Sequence, residues 1–276
     1  MQMSAGVAQR RAWRDALGSL PILGILAAVY LLPPDTSLSE VRRAGALHVC
    51  LPPAAPPFIT GNPALPGIDV EIMQALAHDL ALTLARSEEP AMGRDFNPRA
   101  WHVTRAACEV LAGGIVASPM TRAFLETSRP YAETGWAMVA LRSPSPPREL
   151  TWQELHDRKL GVFAPPSGLD RIALASALRA AGGQATILAT PEALVAGLRE
   201  GRFEAAVTER LLADTIAARE HWAVQWMPAD LARYPIAFGL WKGDLTFKRA
   251  LDSALEQRLS DGSVAEIRRR YLGTGS

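Results

Sequence analysis

The densest run of chemically capable side chains in this 276-residue chain is "GGIVASPMTRAFLETSRPY". Gly113 and Gly114 open it, the hydroxyls of Ser118 and Thr121 follow, and Arg122 adds a cation. A guanidinium offers donors in a rigid fork and hydroxyls both donate and accept, so this stretch has the means to hold a polar or anionic group. Arg122 also has a plainer reading as a solvated residue at a helix start, paired with Glu126 at i,i+4. Groups for bond-breaking are not assembled around it. The sequence has no G-x-S-x-G, no Ser-His-Asp order, and five scattered histidines with none at ligand spacing from a cysteine, so neither a catalytic residue nor a metal or cofactor is expected.

Charge narrows the partners. With 29 basic and 28 acidic residues the formal net charge is +1, and no basic stripe suits a phosphate backbone, so nucleic acid is excluded as a partner. Two cysteines, Cys50 and Cys108, would lie late in one strand and at the head of another. If those strands are parallel neighbours, the offset exceeds the ~7 Å that a bridge tolerates between Cα atoms, and the expectation is two unbridged residues.

These residues need a frame, and the sequence supplies an alternating one. Arg10, Arg11 and Arg14 precede the uncharged run "ALGSLPILGILAAVYLL" (16–32), the order of an export segment. No small-x-small cleavage site follows, so a removed signal peptide and an uncleaved inner-membrane anchor both fit. Then come a strand "ALHVCL", the loop "PPAAPPF", and a helix from Gly67 whose Ile68, Ile72, Met73, Leu76 and Leu80 share a face. "CEVLAGG" and "WAMVALR" read as strands, and the Ser/Pro run at 143–147 marks a boundary. Beyond it the cycle repeats: strand "LGVFA", turn "PPSG", a helix ending at Gly182-Gly183, strand "ATIL", a helix from Pro191 to Gly201, and strand "FEAAV". "YPIAFGLW" and helices over 245–259 and 264–271 close the chain. Two α/β lobes follow from this alternation, with the last strand either extending the second lobe or carrying the chain back to the first.

In this order the segments resemble the family 3 periplasmic solute-binding proteins, from about residue 47 to 272. "LHVCLPPAAPPF" resembles the family's first strand and Pro-Pro-Phe loop, "GIDVEIMQALAHDL" its first helix, and "CEVLAGGIVASPMTRAFLETSRPY" its Thr/Arg loop and Ser-x-Pro-Tyr element. "RKLGVFAPPSG", "GRFEAAVTE" and "LSDGSVAEIRRRYLG" resemble the strand and Gly-Thr turn, the acidic segment and the closing helix of the second half.

The resemblance implies a type II binding-protein fold with two crossover hinge strands. It divides the chain into an N-terminal signal or anchor (1–40), a first lobe (41–141), a second lobe (142–233) and a return to the first (234–276). It implies a periplasmic protein, soluble or held at the inner membrane by its N-terminal segment, closing on a small-molecule ligand for uptake through an ABC permease. By position Arg122 would hold a carboxylate and Glu209 an amine, with Ser118, Thr121, Gly114, Phe58, Trp101, Trp136, Ser167 and Gly168 lining the cleft. The chain departs from the pattern in register at Arg122, in Glu209 for an aspartate, and in Val116 and Ala55, which stand where a hydroxyl and a stacking aromatic are usual. "LHVC" and "ACEV" also resemble the solute-binding-like proteins encoded beside quinoprotein alcohol dehydrogenases, an alternative in which the partner is that dehydrogenase. A dehydratase-like enzyme on the same fold is the third reading.

Overall fold

The structure, a computed structural model, describes residues 34–93, 97–141, 150–165 and 168–273. The export segment at 16–32, the boundary at 143–147 and Ser167 lie outside the described residues. In chain order the elements are α1 (Ser37–Ala44), β1 (Ala46–Leu51), α2 (Ile68–Asp79), β2 (Thr83–Glu88), β3 (Val110–Leu111), α3 (Pro119–Phe124), β4 (Glu126–Thr127), β5 (Ala132–Thr134) and β6 (Trp136–Ala140). There follow β7 (Lys159–Val162), α4 (Arg171–Ala180), β8 (Gln184–Ile187), α5 (Pro191–Arg199), β9 (Ala205–Glu209), α6 (Arg210–Glu220), β10 (Ala223–Trp226), β11 (Tyr234–Ile236), β12 (Gly239–Leu240), α7 (Leu245–Ser260) and α8 (Ser263–Leu272).

Two five-stranded sheets, ordered β2-β1-β3-β12-β4 and β10-β6-β9-β7-β8, organise the two lobes, and an antiparallel β5–β11 ribbon stands apart from both. The chain passes from β5 into the second sheet at β6 and returns from β11 into the first at β12, so this ribbon is where the two crossings run side by side. "YPIAFGLW" is therefore two short strands and not one. Strands β2 and β10 carry no clear pattern in the sequence; both are sheet edges, where one flank meets solvent and strict apolar alternation is not enforced.

Burial explains the pairing. In β9, Ala205 and Val207 join Leu174 and Leu178 of α4, while Ala206 joins Leu194 and Leu198 of α5 and Ala213 of α6. A strand covered on both faces must be apolar throughout, and "FEAAV" reads as one for that reason. The first sheet is covered by α2, α7 and α8 through Ile72, Leu76, Phe247, Leu251 and Val264. Each such side chain, fully removed from water, contributes about 1.5–3 kcal/mol.

The cysteines overturn the expectation drawn from strand offset. Cys50 and Cys108 form a disulfide with their Cα atoms 5.7 Å apart. The parallel register does set Cys50 opposite Leu111, as the offset argument requires, but β3 begins only at Val110. Before it the chain bends through a turn in which the Ala107 and Cys108 amides donate to the Thr104 carbonyl. Residue 108 is thus free of the strand's rise per residue and swings across to Cys50. Met92, Trp101, Leu111, Ile115 and Leu125 pack around the bridge.

Candidate functional site

Asp69 anchors the glycine loop. It sits in the first turn of α2 with no solvent exposure, and its Oδ2 accepts from the backbone N–H of Gly113 (2.7 Å) and Gly114 (2.9 Å) while Oδ1 accepts from the Tyr131 hydroxyl. Burial pushes the carboxyl up to about 6, the three hydrogen bonds pulling the other way. Gly114 is held at φ +75°, and a Cβ there would stand 2.5 Å from the Phe58 ring, so both the turn and the close approach require glycine. Phe58 and Gly114 are brought together, Phe58 as a buried member of the first-lobe core. Sequence reasoning missed Asp69. The signal was present, since Asp69 shares a helix face with Ile72, Met73 and Leu76, and an acid in an apolar stripe needs a buried partner.

Downstream, the loop is stitched to the returning chain. Ala117 donates to the Pro235 carbonyl and Ala237 to that of Ile115, both 2.9 Å. Ser118 caps α3 with its Oγ accepting from the Thr121 N–H at 3.2 Å, and Pro119 occupies the next position, where a missing donor costs nothing. Thr121 is buried and donates to the Val116 carbonyl at 2.6 Å. Its hydroxyl shapes the loop. Arg122, one turn along, is exposed, and among the described residues it makes no ion pair with Glu126. Trp101 lies beneath this segment in the cluster around the disulfide, 1% exposed, while the Arg99 guanidinium stacks 4.5 Å from the Phe124 ring centroid of α3.

The second lobe gathers Glu209, Trp136 and the loop before α4. Glu209 ends β9 and caps α6, its Oε1 accepting from the Leu211 N–H (3.0 Å) and from the Thr134 hydroxyl, its Oε2 from the Leu212 N–H (2.8 Å). With 2% exposure, it keeps one unused lone-pair direction, on Oε2. Burial raises its pKa, and the Thr134 hydroxyl is the first of the bonds opposing that shift. Trp136 faces Glu209 across the β6–β9 register and donates from Nε1 to the Asp170 carbonyl at 3.3 Å. Asp170 caps α4 by accepting from the Ala173 N–H, and Gly168 turns the chain just ahead at φ +77°. Thr134 belongs to β5, so Glu209 is tied to the ribbon from the second-lobe side, as Asp69 is tied to Tyr131 just ahead of it. Among the described residues no group of three His, Cys, Asp or Glu could hold a metal ion.

Two α/β lobes joined by a paired crossing, with a glycine loop and a free arginine on one and an acid-capped helix start on the other, define a two-lobed binding protein. The sequence profile of the bacterial extracellular solute-binding proteins, family 3, matches residues 47–274, and the chain belongs to that family. Among solved structures it is similar to an ancestral cationic amino acid solute-binding protein, at 19% identity and a TM-score of 0.70 over 86% of this chain and 99% of that one. It is also similar to the L-cystine solute receptor of Neisseria gonorrhoeae in its unliganded open form, at 18% identity and a TM-score of 0.65 over 86% and 97% of the two chains. The amino acid transporter substrate-binding protein AbpA of Streptococcus pneumoniae, bound to L-arginine, matches at 17% identity and a TM-score of 0.63 over 85% and 97%. No curated protein sequence matches.

Proposed function

We propose that the chain captures a small polar or anionic metabolite, of the amino-acid class, between its lobes, and that Arg122 supplies the cation that meets the ligand's carboxylate. The observation that carries this reading is Arg122 itself: exposed, without an ion pair to Glu126 among the described residues, and set on a loop fixed by Asp69 and Ser118. The domain division is read with 41–141 and 234–276 forming the first lobe and 142–233 the second. Ser118, Thr121, Gly114 and Phe58 then shape the first wall, with Trp101 supporting it from below. Trp136 and Gly168 belong to the opposite wall. The ligands named for two solved relatives, L-cystine and L-arginine, both carry an α-carboxylate and an α-amine. On this chain the amine would meet only the spare Oε2 lone pair of Glu209, so carboxylate recognition dominates. Delivery to an ABC permease outside the inner membrane completes the reading, which assigns no chemistry to the cleft. Among the described residues no helix is long and apolar enough to cross a membrane.

The Cys50–Cys108 bridge favours a second reading, because it joins the two cysteines on which the likeness to quinoprotein-associated proteins rests. There the chain would serve a dehydrogenase and need no permease. Thermal shift across amino acids and small carboxylates tests the first reading. One or more should stabilise the chain saturably, and Arg122→Ala should weaken that ligand by about 1.5–3 kcal/mol, the worth of a hydrogen bond to a charged group. An unchanged affinity in Arg122→Ala refutes the assignment.

A further inference from the structure

At the outer edge of the second sheet, α4 and the last strand, β8, enclose a groove of about 520 Å³, a size common for small-ligand sites. One wall is a single stripe of α4, Arg171, Leu174, Ala175, Leu178 and Arg179, spaced i, i+3, i+4, i+7 and i+8. The other is Ala185 and Ile187 of β8 with Leu188 just beyond. Apart from the two arginines, no lining side chain can form a hydrogen bond.

Its rim is apolar and unguarded. All four residues of β8 are exposed, Ile187 at 72%, and on α4 Ile172 is 78% exposed, about 20° from Arg179 around the helix axis. Edge strands are ordinarily protected by a charge or a proline, and Gln184-Ala185-Thr186-Ile187 contains neither. The ends of the groove are cationic. Arg171 and Arg179 stand about 12 Å apart along α4, one at each end of the aliphatic stripe. Arg171 donates to the Pro165 carbonyl at 2.9 Å and Arg179 to the Ala175 carbonyl of its own helix at 3.2 Å, and among the described residues neither meets a carboxylate. A guanidinium has five donors and a permanent charge, so one carbonyl leaves most of its capacity unused. A second copy of this chain suits the groove poorly, because two-fold pairing along β8 would bring these like charges together. An aliphatic chain with an acidic head matches both the apolar walls and the cationic ends.

We propose that the groove between α4 and β8 is a second binding site, separate from the interlobe cleft, for a medium-chain aliphatic carboxylate, its chain along Leu174, Leu178 and Ile187 and its head on Arg171 or Arg179. It stands independently of the cleft assignment. Binding of hexanoate, octanoate and uncharged 1-octanol to the full chain, each kept below its aggregation limit, is measured by isothermal titration calorimetry. Octanoate should bind saturably, and tighter than hexanoate by about two- to fourfold for each methylene it adds, according to how fully that methylene is buried. 1-Octanol should bind roughly fivefold or more weakly than octanoate, for want of a charge-assisted hydrogen bond. Arg171→Gln/Arg179→Gln, which changes two exposed side chains, should bring octanoate down to the level of 1-octanol. Ala175→Phe should abolish both by filling the groove from α4, and Arg122→Ala should leave octanoate binding as it is. The proposal is overturned by an absence of saturable octanoate binding or by equal affinities for the two acids. Octanoate binding that is unchanged in the double arginine variant, kept in Ala175→Phe or lost in Arg122→Ala overturns it as well.

Discussion

Removing the Cys50–Cys108 bridge should cost the protein a large part of its stability. The bridge closes a loop with a sequence separation of 58, and the chain-entropy relation for a loop of that length gives about 4 kcal/mol at 25 °C. For a folded body of this size that corresponds to a fall of roughly 8 °C or more in the unfolding midpoint. Cys50→Ala/Cys108→Ala isolates the effect, because both sulfurs are buried and a small apolar replacement strands no polar group. The replacement also leaves space beside Trp101, Leu111 and Ile115, which adds a cavity cost in the same direction. Urea unfolding of parent and double variant, with the parent repeated under reductant, separates the two contributions: the parent loses only the loop term, the variant both. Thiol titration of the denatured, unreduced parent should find neither cysteine reactive. Two reactive thiols, or midpoints with and without reductant that agree within about 1 kcal/mol, would refute the loop-closure argument.

Two further outcomes follow from the glycine loop. The Asp69 carboxyl is raised from an ordinary 3.8 to about 6, so its contribution to stability is fully present below pH ~3.8 and is lost as pH rises through 6. Between pH 3.5 and 7.5 the stability difference between parent and Asp69→Asn should therefore move toward the variant by about 3 kcal/mol, and parallel urea-derived profiles would count against a buried, hydrogen-bonded acid. Gly114→Ala should destabilise by about 2 kcal/mol or more, from a left-handed backbone and a Cβ 2.5 Å from the Phe58 ring. Adding Phe58→Leu should recover part of that loss; strict additivity in the double-mutant cycle would show that the ring is not the obstacle.

Arg122 and Glu209 were both legible in the sequence as charged candidates for the cleft, yet the structure gives them opposite surroundings. Arg122 is left in solvent, whereas Glu209 accepts bonds from two α6 amides and the Thr134 hydroxyl. What separates them is not residue type but whether another segment arrives: β5 crosses beside Glu209, and no acid reaches Arg122 among the described residues. The resemblance set Phe58 and Trp101 along the cleft, and the structure buries both, one against Gly114 and one around the disulfide.

The sequence alone determined the alternation of strands and helices, the apolar faces of α2 and β9, and the order of segments that marks the family, because each depends on a period read within about a dozen residues. Tertiary structure decided the rest. The bend that carries Cys108 to Cys50 and the meeting of Asp69 with Gly113, Gly114 and Tyr131 each join residues dozens of positions apart. Local periodicity says which face of an element is buried. It does not say which distant element buries it, and hydrogen-bond partners, pKa shifts and cavities are set by that choice of neighbour.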